Sequence, residues 1–289
     1  MTSPLPMLIG MAPLIADLWI LLGVCALTWV LSLVTGEHSW VDRLWSIVPV
    51  AYVWVFAGFA GLADTRLDLM AALVTLWGAR LTFNFARKGG YRAGGEDYRW
   101  AVLRARMSRG AFAVFNLFFI VIYQNILLLL IALPAFTAYQ AGSPLTPWDV
   151  LLAAAFLAAL VVETAADQQQ WNFQNRKKAE IAAGREPAER FVTTGLFSVS
   201  RHPNYFAEQA QWWLLFFFGC VAAGSLWQWT VAGAALLTVL FLGSTRFTEE
   251  LSLAKYPEYA EYQARIWPLV PWFPKRATRV EAADDSGRS

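Results

Sequence analysis

Charge is scarce in this chain. Lys, Arg, Asp and Glu make up 15% of the 289 residues, against about 25% in an ordinary soluble domain. The charges that are present nearly cancel, and a formal net of +2 is too small to imply a nucleic-acid partner. Cysteine and histidine are rarer still, at two each. Neither Cys25 nor Cys220 has a partner at a zinc-type or redox spacing, so no metal is expected and both read as buried structural thiols. No internal repeat or coiled-coil heptad is present. No G-x-G-x-x-G follows a strand-like run, so a dinucleotide would not sit on a Rossmann fold. The start lacks the basic segment and small-residue cleavage pattern of a signal peptide, and the first apolar run is expected to stay in the mature protein.

Apolar residues dominate instead, at 57% with 15 Trp. A membrane crossing needs about 20 mostly apolar residues. Seven candidate runs recur, roughly 13–34, 44–61, 67–86, 111–133, 148–166, 205–223 and 225–245. The fold class expected is an all-α integral membrane protein of seven transmembrane helices. Residues 1–274 form a single membrane domain, and 275–289 a polar, disordered tail. Of the 23 Lys and Arg, seven lie in 87–109, six in 176–201 and seven from Arg246 onward. Arg43 and Arg80 belong to the same side, and only Arg66 falls on the other. The positive-inside rule then makes the basic loops cytoplasmic, with the N-terminus outside and the C-terminus inside.

Polar residues at membrane depth are costly and mark function. Here they gather at the cytoplasmic ends of the runs. Arg80, Asn84 and Arg87 share one helix face by their spacing, and Glu163, Asp167, Gln170 and Gln174 share another. Arg246 with Glu250, and Asn204 with Glu208, form i, i+4 pairs. Each pair alone reads equally well as a local ion pair or a snorkelling interface residue. Four such faces on one side suggest a polar cavity. The sharpest local feature is Ser200-Arg201-His202-Pro203-Asn204-Tyr205, followed by Glu208. Pro203 suits the first turn of a helix, whose free N–H groups would make an anion site strengthened by Arg201. A capped helix with an interfacial His202 is the plainer alternative.

The stretch from Gly195 through Arg201-His202-Pro203-Asn204-Tyr205 to Glu208 resembles the C-terminal domain of the steroid 5-alpha-reductase family. So does the tail from Arg246 through Glu250, Tyr256-Pro257, Tyr259 and Tyr262 to Pro271. The resemblance, to a bacterial member, covers 160–274, and more faintly 37–110; the chain's brevity and the absence of retention signals suggest a bacterial inner membrane. It implies a seven-helix reductase that binds NADPH on its cytoplasmic side and reduces a carbon–carbon double bond conjugated to a ketone. By resemblance, Asp167, Asn204 and Glu208 hold the cofactor's ribose and nicotinamide, and Arg246 and Glu250 form the last cofactor segment. Asn84, His202 and Tyr205 are further cofactor-binding candidates, and Arg80, Arg176, Arg190 and Arg201 are candidates for the phosphates. Guanidinium suits phosphate because its planar fork donates two parallel bonds.

In that family an acid and a Tyr hold the ketone. Asp42 is the preferred match for the acid, Glu37 the alternative, and Tyr52 the nearest tyrosine, since Arg66 falls where the family would place one. The implied substrate is flat, apolar and membrane-dissolved, a 3-oxo-delta-4 steroid by resemblance. A similar Arg-His-Pro-x-Tyr stretch occurs in isoprenylcysteine and phospholipid methyltransferases, which bind S-adenosylmethionine there. The extra helices and basic loops of this chain favour the reductase. A non-enzymatic transporter or lipid-binding protein is the third reading. The polar residues lie at one end rather than at the midplane, which speaks against it.

Overall fold

A computed structural model describes residues 5–275, so the tail expected over 275–289 lies, beyond Lys275, outside the described residues. Among these the chain is helical, with no strand. The elements are α1 (Leu5–Thr35), α2 (Trp40–Leu44), α3 (Val48–Phe59), α4 (Thr65–Arg87), α5 (Tyr98–Arg106) and α6 (Arg109–Phe115). A π-helical stretch (Asn116–Tyr123) then leads into α7 (Gln124–Ala132) and α8 (Pro134–Ala141). The chain continues through α9 (Pro147–Ala182), a 3-10 turn (Gly195–Ser198), α10 (Pro203–Ala223), α11 (Val231–Lys255) and α12 (Tyr259–Arg265).

Local chemistry sets many of these boundaries. Asp64 caps α4 by accepting from the amides of Arg66 and Leu67, and Asp97 caps α5 through the amide of Arg99, each satisfying a donor that the first turn leaves over. Gly142, at φ +54, closes α8 in the left-handed conformation that glycine adopts without a Cβ penalty. Pro147 and Pro203 open α9 and α10, where a missing N–H costs nothing.

Among the described residues five stretches are long and apolar enough to cross a membrane: Gly10–Thr35, Thr65–Arg87, Arg109–Ala141, Pro147–Ala182 and Val231–Lys255. This makes the chain an integral membrane protein. Two of the seven expected crossings differ. The run at 44–61 yields only the 12-residue α3, about 18 Å at 1.5 Å per residue against a core of about 30 Å. The run at 205–223 becomes the 21-residue α10, whose first half carries Asn204, Glu208, Gln209 and Gln211, and it is not among the five. The last expected run also shifts, since 225–230 is a turn and α11 starts at Val231.

The chain divides into two compact units. The first comprises 1–164 with 207–242. Its core packs Tyr52, Phe56, Met70, Trp77, Leu127, Phe136, Trp212 and Phe218, with Trp77 and Trp212 meeting edge to face at 4.7 Å. A Cβ on Gly78 would come within 2.5 Å of the Ser46 carbonyl oxygen, so α4 approaches that segment backbone to backbone. The second unit comprises 165–206 with 243–289. Its small core is Ala166, Phe173, Val192 and Phe197, beside a ring cluster of Phe191, Tyr256, Tyr259 and Tyr262. The segment after α12 is strapped down by backbone bonds: the amides of Arg201 and His202 donate to the carbonyls of Trp267 and Pro268, and the Trp272 amide donates to Val199.

Candidate functional site

In the first unit α4 presents Trp77 and Arg80 one turn apart, and α10 presents Glu208, Gln211 and Trp212. Arg80 forms an ion pair with Glu163 of α9 and lies 3.6 Å from Glu208. The two indoles donate to Glu208 at 2.9 and 3.1 Å, and the Gln211 amide donates to Glu163 at 2.7 Å. All of these side chains are buried or nearly so. One guanidinium thus faces two carboxylates among indole and amide donors. Paired charges of this kind are tolerated at depth only because each has a partner. Asn84, on the same face of α4, accepts from Arg87 at 2.9 Å.

The segment between α1 and α3 is tied to the glycine-rich loop that follows α4. Glu37 accepts from the Gly94 amide at 2.8 Å and pairs with Arg43. Arg43 also donates to the carbonyls of Gly90 and Arg92. The Gly94 amide first, and then Arg43, hold the Glu37 carboxyl below the ordinary carboxylate value. Asp42 accepts from the Trp100 indole at 2.8 Å. Burial pushes its carboxyl up, against the opposing bonds from Trp100 and Ser39. Burial likewise lowers the His38 imidazole. Both expected catalytic acids are therefore engaged by the protein, and Arg43, adjacent to Asp42, turns to Glu37.

Tyr52, the expected tyrosine, is fully buried, and its hydroxyl has no protein partner. Within electrostatic range of it lies Asp17 of α1, also fully buried, with neither carboxylate oxygen hydrogen-bonded. Sequence reasoning missed Asp17. The signal was available: it is the one charged residue in the first apolar run, and a charge there is expensive.

In the second unit Arg201 is consumed within the fold. Its guanidinium forks onto Glu249 at 2.6 and 2.9 Å and donates to the carbonyls of Gln263 and Ile266. His202 contacts the same carboxylate at 3.1 Å and stacks on Tyr205, ring centres 5.2 Å apart. Glu249 also accepts from Gln263. Arg246 and Glu250 sit on the exposed face of α11, and the buried carboxylate is their neighbour Glu249, which the i, i+4 pattern passed over. Asp167 is buried and Asn204 half-buried.

Arg176 and Arg190 are solvent-facing, paired with Glu189 and Glu186. Arg176 and Lys177 line a cavity of about 280 Å³ with Phe173, Glu180 and Glu189, and Lys177 is half-buried and donates to the Arg190 carbonyl and the Tyr256 hydroxyl. A phosphate-bearing cofactor fits the exposed Arg176 and Arg190, whose surface ion pairs are weak and exchangeable. It does not fit Arg201, whose donors are already engaged. A second cavity, of about 440 Å³, is apolar and lies in the first unit between Trp148, Phe217 and Leu226; neither cavity is lined by Arg80, Glu163 or Glu208. Among the described residues no group of His, Cys, Asp or Glu is arranged to hold a metal ion.

Comparison with known proteins corrects the family resemblance. Residues 28–266 match the model of a protein family of unknown function, DUF1295, and it is this match that replaces the resemblance to the steroid 5-alpha-reductases. An uncharacterized protein of Schizosaccharomyces pombe is 40% identical over 258 residues, which cover 84% of this chain and 75% of the yeast protein. No solved structure matches.

Proposed function

This chain belongs to the DUF1295 family of unknown function, and from that premise we propose that it is a membrane-embedded, NADPH-dependent reductase of an apolar enone. The observation that carries the proposal is the pair Asp17 and Tyr52. A carboxyl and a phenol, both buried at membrane depth without protein partners, supply what a ketone oxygen needs. Two O–H donors there would hold the carbonyl and stabilise the negative charge that develops on it. Asp17 serves in its neutral form.

NADPH, when bound, supplies the hydride and leaves as NADP⁺. The β carbon gains the hydride, and the π pair moves onto the carbonyl oxygen between Asp17 and Tyr52. A proton then adds to the α carbon, leaving the saturated ketone. We assign α10 and the segment formed by α2 and α3 together, Trp40–Phe59, as the two further crossings of a seven-span protein, with the N-terminus outside and the basic loops cytoplasmic, by the positive-inside rule.

The test is ligand binding by the detergent-purified protein. NADPH is expected to raise Tm by mass action, and S-adenosylmethionine to leave it unchanged. Asp17→Asn and Tyr52→Phe should keep the NADPH response and slow reduction of a 3-oxo-delta-4 steroid or a simpler apolar enone by about 10²-fold or more. Stabilisation by S-adenosylmethionine instead would make the protein a methyltransferase, and silence with both ligands would favour a transporter.

A further inference from the structure

Helix α1 is built inside out. From Gly10 to Thr35 its buried positions are Pro13 and three polar residues, Asp17, Thr28 and Ser32, while Trp19 and Val34 are 71% and 77% exposed. The polar three recur at intervals of eleven and four residues, which places them along one helix face. They span about 22 Å at 1.5 Å per residue, most of a hydrocarbon core of about 30 Å.

The facing wall is polar too. The Asn125 amide donates to Thr28 Oγ1 at 3.2 Å and the Asn116 amide to Ser32 Oγ at 3.1 Å. Nine residues apart are about two and a half α-turns, which would set these two asparagines on opposite faces. The π-helical stretch at Asn116–Tyr123 widens the turn and brings both to α1. The hydroxyls of Thr28 and Ser32 give their protons to carbonyls of their own helix, so they cannot serve the asparagine carbonyls. Asn116 Oδ1, Gln124 Oε1 and Asn125 Oδ1 are buried without a protein partner, as are both oxygens of Asp17 and the Tyr52 hydroxyl. At the end toward the glycine-rich loop lies His38, within reach of Asn116 and with its own Nδ1 buried and unpartnered. Glu96 and Arg104 are the charged groups that act on it.

We propose that this seam, from His38 past Ser32 and Thr28 to Asp17 and Tyr52, holds buried water at both ends and carries protons into the membrane interior past Leu21 and Val24, the partly buried apolar residues between Thr28 and Asp17. Apart from His38 and Asn116, which are within reach of each other, four residues, Asp17, Tyr52, Gln124 and Asn125, keep unsatisfied buried atoms; left dry, each would forfeit stability, together a large share of what holds a typical domain folded. Buried water, which makes about three hydrogen bonds, removes the cost. The orphans are mostly acceptors, matched to water's protons. The role of the path rests on the proposed reductase reading, in which each turnover takes one proton. The water itself does not rest on it.

Hydroxyl-radical footprinting of the whole protein in nanodiscs reads the water directly, because radicals form where water is. Tyr52 should be oxidised at least severalfold faster than Met70, an equally buried residue of the apolar core. A Tyr52 as silent as Met70 overturns the proposal. Tyr52→Phe, which keeps the ring, is the second measurement. If the seam is dry, losing an orphan hydroxyl raises Tm, and that result also refutes the path; a Tm at or below wild type is expected. Both readouts stand whether or not NADPH binds, so failure of the seam and failure of the reductase reading are distinguishable.

Discussion

Arg66 and Asp149 form a fully buried fork, with two parallel bonds at 2.7 and 2.9 Å. The other guanidinium donors go to Ser143 and Pro144, and Asp149 also takes the amide and hydroxyl of Thr146. One ion pair thus ties the start of α4 to the loop before α9 and the first turn of α9. The positive-inside reading sets Arg66 apart from every other basic residue of the chain; its partner explains how a buried guanidinium is tolerated there. Asp149→Ala leaves a buried cation uncompensated and should cost about 3–5 kcal/mol. Arg66→Met with Asp149→Leu should recover most of that loss. Thermal unfolding of the three detergent-purified variants checks both.

Glu37 should show in the acid limb of stability. Its carboxyl is held below the ordinary value by the Gly94 amide and Arg43. Its contribution is therefore present above the unfolded value and lost as pH falls through the lower, folded one. Glu37→Gln should cost about 1 kcal/mol at neutral pH and flatten the dependence of Tm on pH at the acid end. An unchanged acid limb would show that the pairing carries no stability.

Asp42 should behave in the opposite sense. Burial raises its carboxyl, so the folded state binds the proton more tightly than the unfolded one. Stability is then favoured in acid and declines as pH rises through the raised value. Asp42→Asn keeps an acceptor for the Trp100 indole and should remove that decline, with Tm at neutral pH equal to wild type or higher. Because Asp42 is already engaged by Trp100, the same variant should keep its turnover.

Two sets of arginines in the second unit should separate cleanly. Arg201→Ala breaks the fork to Glu249 and frees the carbonyls of Gln263 and Ile266, so it should cost about 3–5 kcal/mol and expose the segment after α12 to protease. Arg176→Ala and Arg190→Ala remove only exposed pairs. They should change stability by less than about 0.5 kcal/mol and weaken NADPH binding about tenfold. Equal NADPH affinity in both would place the phosphates elsewhere.

The membrane class was legible from the runs of apolar residues, because a bilayer selects on length and apolarity alone, and both are additive along the chain. The helix start at Pro203 follows from local chemistry as well, since a missing N–H is tolerated within the first turn. The sequence also marked Arg80, Glu163 and Glu208 as inward polar groups by their spacing. It passed over Asp17, Glu249, Gln211 and the indoles of Trp77 and Trp212, whose roles depend on residues far away in the chain. Helical periodicity shows which face a residue shares, and nothing about what stands opposite. Only the tertiary structure decided that Arg201 is occupied by Glu249, that Glu37 and Asp42 are already bonded, and that Asp17 and Tyr52 are not. The reason is physical: whether a buried polar group is stabilised or left available depends on partners within about 3 Å, and folding alone brings those together.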